Sequence, residues 1–239
     1  MSHKFTEGVA TSHRVLVKVW PLSVRITHWA IMISVVALTI SGMIIANGNM
    51  GWLAGHADNM NWTRTLHVAF GWIFAVSTIA RFIWMFIGNE YTRWDQFIPV
   101  TKERRQDLVE AIKFYSFLRP MPQTEAGHNP MAGMAYFVVY SLFLVQAVTG
   151  AALVSVDRPD SWLNGAAGWV FSIISLPGVR LLHHAIMWVT LVFVIQHIYS
   201  MSLVDMSERS GVVSSMWAGT KILPVANEPD HPVTAESKH

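Results

Sequence analysis

HHAIMWVTLVFVIQHIY, running from His183 to Tyr199, decides the fold. A polar ring inside an apolar run of this kind is costly in a bilayer and marks a functional site. His183 and His197 stand fourteen positions apart. At 3.6 residues per turn that is just under four turns, so the rings project about 40° apart around the axis and about 21 Å apart along it. One helix therefore presents two ligands on one face at two depths. His184, next in the chain, points about 100° away. It could be a substitute ligand, a partner for an acidic group, or a helix-interface group. The spacing favours His183, because thirteen positions rotate the pair about 60° apart.

Working outward, the 239-residue chain has a mean hydropathy of +0.37 and only 13% charged residues. Soluble domains carry about a quarter. The deficit lies in four apolar stretches, predicted as membrane spans over about Val24 to Ala46, Arg64 to Ile87, Pro130 to Val156 and Val179 to Leu203. Each supplies the roughly 20 residues that cross a hydrocarbon core of about 30 Å. Breakers flank them: Pro21, Gly88-Asn89, Asn129-Pro130 and Pro177-Gly178. Eleven tryptophans suit membrane–water boundaries. Zero cysteines exclude disulfides, thiolate metal sites, iron–sulfur clusters and covalently attached haem. The charge is spread over loops and leaves no nucleic-acid footprint. The first apolar run is long enough to span, so no cleaved signal peptide is expected.

Charge predicts the orientation. With a cytoplasmic N-terminus, fourteen of the seventeen Lys and Arg residues fall inside and only Arg64, Arg158 and Arg180 outside. That asymmetry places both termini in the cytoplasm. Between spans two and three, Thr101 to Phe117 predicts an interfacial amphipathic helix. Ser161 to Ser175 predicts a short helix lying at the outer surface; a fifth span there would be too short. Residues 1–222 form the expected transmembrane domain, and residues 223–239 a polar, disordered tail.

Two more spans carry histidines. His28 lies near the inner end of span one, level with His197, and His67 near the outer end of span two, level with His183. Two level-matched His/His pairs result, one per leaflet. Facing imidazoles suit low-spin haem b, and double axial ligation favours electron transfer over oxygen chemistry. Interhelical hydrogen bonding alone is the bland alternative. Zinc or copper fits less well, because two ligands per layer are too few for a tetrahedral site. Arg25, Arg64, Arg81 and Arg180 at helix ends either pair with haem propionates or snorkel to headgroups. Gly42, Gly71 and Gly150 admit either a flat macrocycle or close helix packing. The expected architecture is all-α and membrane-integral: a four-helix bundle with two haems b and short interfacial helices.

VRITHW (Val24–Trp29), RTLH (Arg64–His67), RFIWMFIGNEYTR (Arg81–Arg93), GHNP (Gly127–Pro130), TGAAL (Thr149–Leu153) and the His183–Tyr199 stretch resemble the cytochrome b subunit of membrane-bound nickel–iron hydrogenases. The likeness runs from about residue 18 to 222. The four-helix dihaem plan is shared with formate dehydrogenase gamma subunits. The resemblance implies two non-covalent haems b ligated by His28 with His197 and by His67 with His183. It further implies a bacterial inner-membrane subunit that anchors a periplasmic hydrogenase. Electrons would pass from that enzyme's iron–sulfur small subunit to quinone near the cytoplasmic haem. Asn129 and His128 lie at the right depth for a quinone site, with helix capping as the alternative. Rival readings are the same carrier serving a formate dehydrogenase or other partner, in either direction, or a haem-free anchor.

Overall fold

The computed structural model describes residues 14–47, 57–116, 118 and 130–224. A strand β1 (Arg14–Lys18) precedes helix α1 (Leu22–Ala46), followed by α2 (Ala57–Ile87), α3 (Lys102–Tyr115), α4 (Pro130–Asp157), α5 (Trp162–Ala167), α6 (Leu176–Glu208), α7 (Val212–Ala218) and strand β2 (Thr220–Pro224). Helices α1, α2, α4 and α6 are long and apolar enough to cross a membrane. They form an antiparallel bundle in which α1 packs on α2, α2 on α4, and α4 on α6.

All four expected spans are present, and two are longer than their apolar runs suggest. Helix α2 begins at Ala57, ahead of Arg64, and α6 runs to Glu208, beyond Leu203. Hydrogen bonding within a helix does not stop where hydrocarbon does, so polar turns continue past the apolar band. Proline stands at the entrances: Pro21 caps α1, Pro130 begins α4 and Pro177 lies in the first turn of α6. The outward faces are apolar. Leu181, Val192 and Ile195 of α6 are 73%, 68% and 70% exposed, as lipid contact requires.

The amphipathic segment is helical as α3, with Ala111 buried and Val109 and Ile112 half covered beside α4. Ser161–Ser175 divides into α5 and a 3₁₀ turn, Gly168–Ser172, packed on α4. One element was not expected. Strands β1 and β2 pair antiparallel, Arg14 opposite Pro224 and Lys18 opposite Thr220. Gly211 and Gly219 bracket α7 with φ of 71° and 84°, a left-handed backbone that glycine adopts at no steric cost. This brings Ser215 under Trp20, whose indole N–H donates to it at 3.0 Å, and stacks Trp217 on Trp29 at 4.1 Å. The sheet and α7 thereby close the bundle end that carries both chain ends described. That end is the near side below, and the opposite end the far side.

Candidate functional site

Each long helix carries a pair of chemically telling positions fourteen residues apart. They are His28 and Gly42 on α1, His67 and Arg81 on α2, Tyr136 and Gly150 on α4, and His183 and His197 on α6. A fourteen-residue step keeps both members on nearly one face, about 21 Å apart. Because the helices alternate in direction, the positions sort into two tiers. The far tier holds Gly42, His67, Gly150 and His183; the near tier holds His28, Arg81, Tyr136 and His197. Seven residues into each step lie Val35, Phe74, Phe143 and Thr190, an intermediate layer. Phe74 and Phe143 meet edge to face at 5.0 Å within the main apolar cluster, with Ile31, Val35 and Val139.

The fold brings the four predicted histidines together in the predicted pairs. Ring centroids are 6.5 Å apart for His67 and His183, and 6.4 Å for His28 and His197. Metal–nitrogen bonds of about 2 Å, plus about 1 Å from each nitrogen to its ring centre, separate two rings across one metal by about 6 Å. Both pairs match that span.

The far pair is held by hydroxyls that sequence reasoning passed over. Ser41 Oγ donates to the Ala37 carbonyl at 2.7 Å and stands 2.8 Å from His67 Nδ1. Its hydrogen is spent on the helix, so Nδ1–H donates to it, leaving the Nε2 lone pair free. Thr149 repeats the arrangement: its Oγ1 donates to the Val145 carbonyl and accepts from His183 Nδ1 at 2.9 Å. Such hydrogen bonds fix the tautomer and aim of a metal-ligating imidazole. A signal was present: Ser41-Gly42 and Thr149-Gly150 are the same hydroxyl–glycine dipeptide in two different spans. Both glycines let the rings approach closely: a Cβ on Gly42 would lie 3.3 Å from His67 Cε1, and one on Gly150 3.3 Å from His183 Cε1, so each ring would have to give by a few tenths of an ångström.

A cavity of about 860 Å³ opens between these rings, floored by the intermediate layer. It lies within the range of about 300–1,000 Å³ typical of cofactor and ligand sites. Arg64, Arg180 and His184 also line it, and both arginines are exposed. Gln146 reaches into it, 3.3 Å from His183 Nε2, and its Oε1 is buried without a partner. The donor set, the glycine cradles and the two arginines at the mouth fit a flat macrocycle with acidic side arms.

The near pair is supported differently. His197 stacks on Phe193 at 5.6 Å and meets the Tyr136 hydroxyl at 3.3 Å from Nδ1. His28 lies edge-on to Trp29, and its Nδ1 is buried without a hydrogen-bond partner. Arg25 packs against Gly219 at the near end, outside the far cavity. His184 donates from Nδ1 to the Arg180 carbonyl at 2.8 Å, beside the far pair. His128 and Asn129 lie outside the described residues.

A family profile described as prokaryotic cytochrome b561 matches residues 19–219, nearly the whole described chain. This chain belongs to that family. Its membrane bundle is therefore that of a b-type cytochrome, an electron-transport protein holding haem b. The sequence is 37% identical over 215 residues to the probable Ni/Fe-hydrogenase B-type cytochrome subunit of Bradyrhizobium diazoefficiens, covering 87% of each chain. It is 34% identical to the probable Ni/Fe-hydrogenase B-type cytochrome subunit of Rhizobium leguminosarum bv. viciae, covering 90% of this chain and 92% of that protein. The probable Ni/Fe-hydrogenase 1 B-type cytochrome subunit of Escherichia coli K12 is 28% identical, with 84% of this chain and 88% of that one covered.

Proposed function

We propose that this cytochrome is the membrane subunit of a nickel–iron hydrogenase complex and carries electrons between the hydrogenase and quinone through two haems b. The observation that carries the reading is the repeated geometry: two histidine pairs with ring centroids 6.5 and 6.4 Å apart, set fourteen residues apart on α6. His67 and His183 would hold one haem, and His28 and His197 the other. Haem b would supply a one-electron iron couple at each pair, and with both imidazoles of a pair committed to it the chemistry would be electron transfer.

This chain's own residues do the rest. Ser41 and Thr149 orient the far ligands. Arg64 and Arg180 stand where propionates would leave the far cavity. The intermediate layer keeps the space between the tiers apolar. Charge distribution supports an inner-membrane protein with the near side and both termini in the cytoplasm. Two electrons, passed one at a time from the iron–sulfur small subunit of a periplasmic partner by way of the far and then the near tier, would reduce quinone to quinol at the cytoplasmic side, with two protons taken up there. His128 and Asn129 remain the proposed quinone contacts on sequence grounds. Proton uptake from the cytoplasm would couple the transfer to the membrane potential, at about 2.3 kcal/mol per charge per 100 mV.

The test is a reduced-minus-oxidised spectrum and haem assay on the purified protein, with the copurifying subunits identified. Two b-type haems per chain together with hydrogenase subunits are expected. Absence of a bis-histidine b band overturns the dihaem reading, and copurification with a formate dehydrogenase or another oxidoreductase overturns the partner.

A further inference from the structure

Arg81 is the inner counterpart of His67, fourteen residues along α2 on nearly the same face. It is only 2% exposed. Its guanidinium lies over two aromatic rings, 5.3 Å from the Phe97 centroid and 5.5 Å from that of Tyr140. Nη1 is buried without a hydrogen-bond partner, and no described carboxylate forms an ion pair with Arg81. Phe97 is itself 1% exposed, so water is kept away from the charge on that side.

The two rings do not offset such burial. Cation–π contacts return less free energy than it costs to take an ion out of water. Ordinary snorkelling, which the position near a helix end suggests, is excluded by the depth of burial. The far tier has nothing comparable: its arginines are exposed at the cavity mouth, and its non-ligand positions are glycines. Among the described residues, the two tiers thus differ in buried charge: the near tier carries a buried arginine, where weak screening makes charge–charge interaction strong, and the far tier only exposed, solvent-screened ones.

We infer that Arg81 is a fixed internal cation that makes the near His28/His197 centre the more oxidising of the two redox centres. Reduction adds one electron beside this charge and is favoured by it, so electrons settle on the near tier. In the transfer the far centre loses one electron and the near centre gains one, with no bond made or broken. The inference rests on the dihaem reading proposed above.

Redox titration of the purified, haem-loaded full chain tests it, using wild type, Arg81→Gln, Arg81→Met and Arg81→Lys. The absorbance wave that survives in His67→Ala identifies the near centre. In the two neutral variants the near wave is expected to move to lower potential by a factor of at least about ten in its equilibrium constant, about 59 mV for one electron. The far wave stays in place, and Arg81→Lys keeps most of the wild-type value. Methionine still fills the slot between Phe97 and Tyr140, which guards against a packing defect in the glutamine variant. An unmoved near wave, equal movement of both waves, or a lysine variant that shifts as far as the neutral ones overturns the inference. Loss of the near band in both neutral variants also overturns it, since Arg81 would then hold the cofactor and not tune it. A wild-type chain without two b-type waves overturns the dihaem reading itself.

Discussion

The far and near tiers use the same helical step and nearly the same ring separation, yet little else about them is alike. At the far tier each histidine donates to a hydroxyl, each ring rests against a glycine, and the cavity mouth is lined by exposed arginines. At the near tier one histidine stacks on Phe193 beside Tyr136, the other has a buried Nδ1 without a partner, and a buried arginine lies in register with them. Ligand spacing alone therefore makes two equivalent sites. Their neighbours make them unequal, and inequality is what gives a pair of redox centres a direction.

Breaking one tier at a time is the strongest probe of that contrast. His67→Ala should remove the far centre and about half of the haem, while His28→Ala should remove the near centre and the other half. Haem content and the surviving spectral band read the outcome; unchanged content in either variant contradicts the pairing. A bulky side chain at the far cradle comes next. Gly150→Leu should displace His183 and empty the far site while the near band persists, because a Cβ alone already reaches 3.3 Å from His183 Cε1. Equal loss of both bands would mean a folding defect.

Removing one hydroxyl should do less. Ser41→Ala and Thr149→Ala free the His67 and His183 tautomers, and far-site haem affinity is expected to fall about 10–100-fold. Thr149→Ser, which keeps the hydroxyl, should restore it. Haem retention during dilution or competition with an apo-protein measures this, and an identical loss in Thr149→Ser would point to packing instead. Smallest of all, Tyr136→Phe removes a 3.3 Å contact and should weaken the near site by about 0.5–1.5 kcal/mol, leaving the far band untouched.

Much of this molecule was legible in the chain because membrane helices obey few rules. Hydrophobic length located four spans, and the interval between His183 and His197 put two histidines on one face without any tertiary information. The hydroxyl supports were harder to see. Serine and threonine in a span ordinarily bond back to their own helix, as Ser41 and Thr149 also do, and only the approach of a second helix gives them another role. Arg81 was ambiguous for a related reason: near a helix end it reads equally as a propionate partner or a snorkelling residue, and its burial against Phe97 of the following loop is a tertiary contact. The β1–β2 pair was invisible, since each strand is five residues long and its partner lies some 200 positions away.

By itself, then, the sequence determined the number of spans, their alternation across the membrane and the depth of every intramembrane histidine, because helix rise and hydrocarbon thickness are local constraints. Only the tertiary structure decided which nitrogen of His67 and His183 meets a hydroxyl and which faces the cavity, how much space lies between the rings, and which arginine is buried without a counter-ion. Those properties arise where helices meet, and no single helix contains them.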